Sequence, residues 1–123
     1  MNADNIKSQM RKGYLEYCIL LILRKKPAYT SDIIAELKDA KLIVVEGTLY
    51  PLLTRLKNGE LLDYRWEEST QGPPRKYYEM TSKGQAFLDE LEMAWDEINN
   101  VVKKIKEDNP LATSFACDFI FPT

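Results

Sequence analysis

The sequence predicts an α+β fold, mainly helical, on three observations. Three helical segments follow one another in the first half. A β-hairpin follows them and carries a basic pair on its returning strand. The last helix keeps heptad spacing over about 25 residues.

The first helix runs from Ile6 to about Lys26, with Leu15, Cys18, Ile19 and Ile22 on one stripe and Leu20, Leu21 and Leu23 widening it. A helix apolar on most sides is buried on most sides. Pro27 ends it, because proline lacks the donor N–H and disfavours helix in the residue before it. Thr30 or Ser31 then caps a second helix through about Ala40, in which Ile33, Ile34 and Leu37 face the core. A third helix spans Glu46 to Asn58-Gly59, a pair suited to the left-handed turn that terminates helices. Leu49, Leu52, Leu53 and Leu56 form its apolar stripe, and Pro51 is placed in or near the first turn. Pro51, Thr54, Arg55 and Asn58 fall opposite that stripe, with Thr48, Tyr50 and Lys57 on its flanks.

From Leu61 to Glu67 the chain alternates Leu62, Tyr64 and Trp66 with Asp63 and Arg65, the period of a strand. Residues 69–74 are a turn by composition, and Arg75 to Met80 returns as a second strand, so the hairpin tip carries Gln71 and Gly72. Of Tyr77 and Tyr78, consecutive on a strand, one faces the core and one the surface. Three helices and a basic-tipped hairpin in that order make a winged helix-turn-helix.

Thr81 or Ser82 caps the last helix, which continues to about Lys106, a length of roughly 37 Å. Its Leu88, Leu91, Trp95, Ile98, Val102 and Ile105 are spaced 3, 4, 3, 4, 3. Such a seam wants a partner helix, so it is read as the dimerisation surface of a homodimer, with the apolar surplus of the first helix contributing. The expected organisation is therefore a winged-helix DNA-binding domain in residues 1–80, a C-terminal dimerisation helix in 81–108, and a tail in 109–123. That tail holds Phe115, Phe119, Ile120 and Phe121, and no role is assigned to it.

Composition narrows the function. The 123 residues include no histidine, which removes the commonest general base and transition-metal ligand. With no glycine-rich phosphate loop or ligand cluster either, no enzyme and no cofactor are expected. Glu90, Glu92, Asp96 and Glu97 of the last helix are read as solubilising groups rather than a catalytic carboxylate pair. Cys18 and Cys117 have no metal-ligand spacing and are read as packing residues. Met1 leads into a polar stretch and no apolar run approaches the 20 or so residues of a membrane span, so a cytoplasmic protein without a membrane partner is expected. A net charge of -2 means that affinity for nucleic acid must come from a locally basic surface. The order of elements favours double-stranded DNA as partner, with a protein-interaction module that binds no DNA as the alternative.

Two motifs in register carry a family resemblance. Gly47-Thr48-Leu49-Tyr50-Pro51-Leu52-Leu53-Thr54-Arg55-Leu56 leads to Asn58-Gly59, and Gly72-Pro73-Pro74-Arg75-Lys76-Tyr77-Tyr78 is followed by Thr81 and Gly84. The chain resembles the PadR-like transcriptional regulators from about Tyr14 through the last helix. The resemblance implies a homodimeric winged-helix repressor that reads a pseudo-palindromic operator and is released by an effector. It makes the third helix the recognition helix. Thr48, Tyr50, Thr54, Arg55 and Lys57 then lie near DNA, with Gln71, Arg75 and Lys76 on the wing. Where the family has a Gly-Tyr pair entering the second helix, this chain has Thr30-Ser31. The phosphate contact of that tyrosine is either lost or taken over by Tyr29. Trp95 stands where some drug-responsive members carry a tryptophan that stacks on planar aromatic compounds. With Tyr14 and Cys18 it forms the candidate effector site, although a tryptophan at a heptad position usually just packs.

Overall fold

A computed structural model describes residues 2–108. The expectations for the Phe-rich tail and for Cys117 lie outside the described residues. The order is α1 (Ala3–Lys25), β1 (Ala28–Tyr29), α2 (Thr30–Asp39), α3 (Glu46–Asn58), β2 (Leu62–Ser69), β3 (Gly72–Met80) and α4 (Ser82–Asp108). The strands form an antiparallel sheet in the order β1-β3-β2. This is the winged helix-turn-helix layout, mainly helical, as the sequence predicts.

Helix α1 begins earlier than its apolar pattern, because Asn2 caps it by accepting the Asn5 N–H at 2.9 Å. Its second half supplies the core residues Leu15, Ile19, Leu20 and Leu23. The same core takes in Ile33 and Leu37 of α2, Leu49, Leu53 and Leu56 of α3, Leu62 of β2 and Tyr78 of β3, all buried. Each such burial contributes about 1.5–3 kcal/mol. Tyr78 is the core member of the tyrosine pair, and Tyr77 lies half-buried.

Several details differ from the sequence reading. Tyr29, rather than Thr30 or Ser31, is the N-cap of α2, and the Asp32 carboxylate accepts its backbone N–H at 3.0 Å. Helices α2 and α3 both end in Schellman turns, with Leu42 N donating to Leu37 O and Leu61 N to Leu56 O. The left-handed residues there are Lys41 (φ 72°) and Glu60 (φ 65°). Gly59, expected in that conformation, has φ -79° and is the C-cap.

The hairpin is longer and its turn tighter than composition suggests. Only Thr70 and Gln71 lie outside the strands, and Ser69 pairs with Gly72. Glu67 pairs with Arg75, so Pro73 and Pro74 oppose the single residue Glu68. That bulge is where two residues without an N–H can enter a strand without breaking the ladder.

The chain divides into two units, Met1–Asp89 and Glu90–Thr123. The first unit takes in the opening turns of α4. There Thr81 Oγ1 accepts the Gly84 N–H at 2.9 Å and lies 2.6 Å from Glu60 O and 3.0 Å from Leu61 O. Leu88 is completely buried, so the first residue of the expected dimer seam is part of the chain's own core and has no surface left for a partner. In the second unit, the described part of α4 exposes Met93, Trp95, Ile98, Val101, Val102 and Ile105.

Candidate nucleic-acid interface

Helix α3 buries Leu49, Leu53 and Leu56, so its rotation about its own axis is fixed. The opposite ridge is Gly47, Pro51, Thr54 and Asn58, all exposed. These are short side chains, and nothing lies within 4 Å of the place a Cβ on Gly47 would occupy. Pro51 stands sixth in the helix, just past its first turn. Lacking an N–H, it has nothing to donate to the Gly47 carbonyl, which lies on the same exposed ridge. The helix thus presents a low, polar spine whose backbone is open to close approach.

Two clefts flank the spine. On the wing side, Tyr29, Ser31, Glu46, Tyr50, Trp66, Pro73, Arg75 and Lys76 line a cleft of about 570 Å³. On the α1 side, Ser8, Arg11, Lys12, Leu15, Thr48, Leu52 and Arg55 line one of about 400 Å³. Seven of the nine residues expected near DNA fall into three places. Thr54 is on the spine, Thr48 and Arg55 border the α1 groove, and Tyr50, Arg75, Lys76 and Tyr29 border the wing cleft. Lys57 lies 5.9 Å from the Tyr64 ring centroid, and Gln71 is exposed at the hairpin tip with its N–H on Ser69 Oγ.

The cations are held by their neighbours. The Arg75 guanidinium stacks 4.0 Å from the Tyr29 ring centroid, and Tyr29 in turn leans on Tyr77 at 4.8 Å. Lys76 lies 4.5 Å from the centroid of Tyr64 and 5.5 Å from that of Trp66, its cross-strand partner. Each stacking is worth about 0.5–1 kcal/mol at an exposed site. It narrows the side chain's search and leaves its outer N–H groups free to meet an anion. Tyr29 is thus a platform for Arg75. Arg55, expected as an outward cation, pairs through Nε and Nη2 with both carboxylate oxygens of Glu16 on α1. The guanidinium keeps N–H groups beyond the two so engaged.

Sequence reasoning missed three features of this surface. Trp66 shares the alternation of Leu62 and Tyr64, yet it is 61% exposed and lines the wing cleft. The alternation identified its face, but along that face burial fades from Leu62 through the half-buried Tyr64 while the strand continues. Glu46 puts a carboxylate at the rim of the same cleft. The two-residue strand β1, which carries Tyr29 to Tyr77, left no periodic signal.

Among the effector candidates, Tyr14 and Cys18 line a groove of about 360 Å³ between α1 and α2, together with Leu21, Glu36, Leu37 and Lys41. Burial pushes the Cys18 thiol above its ordinary pKa. Trp95 stands on α4 and is 37% exposed. Among the described residues no cluster of three or more His, Cys, Asp or Glu could hold a metal, and no helix is long and apolar enough to cross a membrane.

The family model for transcriptional regulators of the PadR-like family matches residues 19–90. The chain is similar to the crystal structure of a PadR-like transcription factor from Bacteroides fragilis, with 70% identity, a TM-score of 0.72, and 82% of this chain and 98% of that one covered. It is similar also to a PadR family transcriptional regulator from Eggerthella lenta (37% identity, TM-score 0.72, 89% and 96% covered). A PadR-like regulator from Bacillus cereus matches at 36% identity and a TM-score of 0.70, with 79% and 95% covered. A protein of Lysinibacillus sphaericus is 30% identical over 105 residues, 83% of this chain and 96% of that one.

Proposed function

The chain belongs to the PadR-like family of transcriptional regulators, winged-helix proteins that bind DNA, and on that footing we propose that it acts as a homodimeric repressor released from its operator by a small-molecule effector. The observation that carries the reading is the exposed spine of α3 with a cation-bearing cleft on either side. An α-helix with its side chains is about 10–12 Å across and the major groove about 12 Å wide. A helix seated there meets base edges with its spine and the two phosphate strands with its flanks. Thr54 and Tyr50 are the proposed base-edge and sugar contacts; Thr48, Arg55, Lys57, Arg75 and Lys76 face phosphates, and Gln71 follows the wing into the neighbouring groove.

Dimerisation is proposed through α4. Leu91, Trp95, Ile98, Val102 and Ile105 keep the heptad spacing, and the last four are exposed in the single chain. Two recognition helices related by a two-fold axis read half-sites about one helical turn apart, which makes the operator pseudo-palindromic. For the effector we propose a planar aromatic compound that stacks on Trp95.

The test is a fluorescence-anisotropy titration of the full chain against labelled DNA from upstream of its own gene, with scrambled competitor, at two salt concentrations. Saturable binding that resists competitor and weakens steeply with salt supports the repressor reading. Binding no tighter than to scrambled DNA rejects it.

A further inference from the structure

The α1 groove contains residues that the recognition-helix reading does not account for. Ser8, Arg11, Lys12 and Leu15 recur at i, i+3, i+4 and i+7, the spacing of one helical face, and that face of α1 lines the groove opposite Thr48, Leu52 and Arg55 of α3. Leu15 is buried, while Ser8, Arg11 and Lys12 are exposed. Three cations and two hydroxyls thus surround an apolar floor of two leucines. Glu16 is the carboxylate set against them, and it is engaged by Arg55. The groove keeps a positive surplus in a chain whose net charge is -2.

Resting on the reading of α3 as the recognition helix, we propose that this groove is a phosphodiester site: it seats the DNA backbone strand that borders the major groove on the side away from the wing. Arg11 and Lys12 supply the charge, and the Ser8 and Thr48 hydroxyls donate to phosphate oxygens. The wing flank has Arg75 and Lys76 for one strand. The facing strand meets the α1 flank, where Arg11 and Lys12 join Arg55. The first half of α1, capped by Asn2 and exposed along its length, is then part of the DNA-binding surface rather than a solvated extension.

The test compares the full chain with Arg11→Ala/Lys12→Ala and, as an equal change in net charge, Lys103→Ala/Lys104→Ala on α4. Each is titrated by anisotropy against the upstream duplex and a scrambled duplex of the same composition, from about 50 to about 200 mM salt. Alanine preserves helix propensity, and far-UV circular dichroism checks the fold. Phosphate contacts carry no sequence information, so the α1 double variant weakens binding to both duplexes by the same factor. Its affinity also falls less steeply with salt: across that range the loss shrinks roughly 3.5-fold for one phosphate contact removed and about twelvefold for two. An unchanged salt slope, or an equal change in the α4 variant, overturns the proposal while leaving the recognition helix in place. A wild-type chain that binds neither duplex overturns both.

Discussion

Replacing Gly84 by alanine gives opposite results depending on which physical effect wins, and the structure says which. Helix propensity alone favours the change, since alanine in a helix is worth about 0.5–1 kcal/mol over glycine. But a Cβ on Gly84 would stand 2.1 Å from the Leu61 carbonyl oxygen, 2.8 Å from Met80 Cγ and 3.0 Å from the Leu61 carbonyl carbon. Two of these three neighbours are backbone atoms of the turn after α3, which cannot swing aside as a side chain can. Relief requires the start of α4 to move away from Leu61. That movement also disrupts the Thr81 hydroxyl's contacts with Glu60 O and Leu61 O. Overpacking of this kind costs about 1–3 kcal/mol and a lost hydrogen bond about 1 kcal/mol. Against the propensity gain, the net expectation is a destabilisation of about 2 kcal/mol. For a domain of this size that lowers Tm by roughly 10 °C. Urea and thermal unfolding followed by far-UV circular dichroism measure it, and a variant as stable as the wild type, or more so, would refute the argument.

Three further outcomes are expected. Lys41→Gly relieves a left-handed lysine at the end of α2 and should stabilise the chain by about 0.5–1 kcal/mol in the same unfolding assay. Ile98→Glu places a charge in the proposed helix seam, and sedimentation equilibrium should show dimerisation weakened by roughly a hundredfold or more. In a Cys117→Ser background, Cys18 should react with iodoacetamide more slowly than a free thiol near pH 8 and accelerate only in the alkaline range. Because its folded pKa is raised, the neutral thiol's contribution to stability is complete below the ordinary thiol pKa and is lost as pH rises through the raised value.

What could be read from the sequence was whatever is local and periodic. The Leu49, Leu52, Leu53 and Leu56 stripe fixed the rotation of α3 and hence its outward face, and a period of two put one of Tyr77 and Tyr78 in the core, which the structure shows to be Tyr78. What escaped depends on residues distant along the chain. Nothing near Arg55 discloses that Glu16, 39 positions earlier, holds it, and nothing near Ala28 discloses pairing with Tyr78. Composition misled where it stood in for geometry. Gly72-Pro73-Pro74 reads as a turn, yet a bulge admits both prolines to β3. Asn58-Gly59 reads as the left-handed stop, and the helix does end at Asn58, yet Gly59 caps it with a negative φ and Glu60 takes the left-handed conformation. Heptad spacing ran without a break from Leu88 to Ile105 and so could not mark where the chain's own core, which claims Leu88, gives way to exposed surface.

The central claim, that two copies of α3 enter successive major grooves of one operator, is tested most directly by a hydroxyl-radical footprint of the full chain on the DNA upstream of its own gene. The account predicts protected patches on one face of the duplex in two sets, related by a dyad and centred about 10 base pairs, or a multiple of one turn, apart. A single patch without two-fold symmetry, or no protection at protein concentrations that saturate anisotropy, would contradict it.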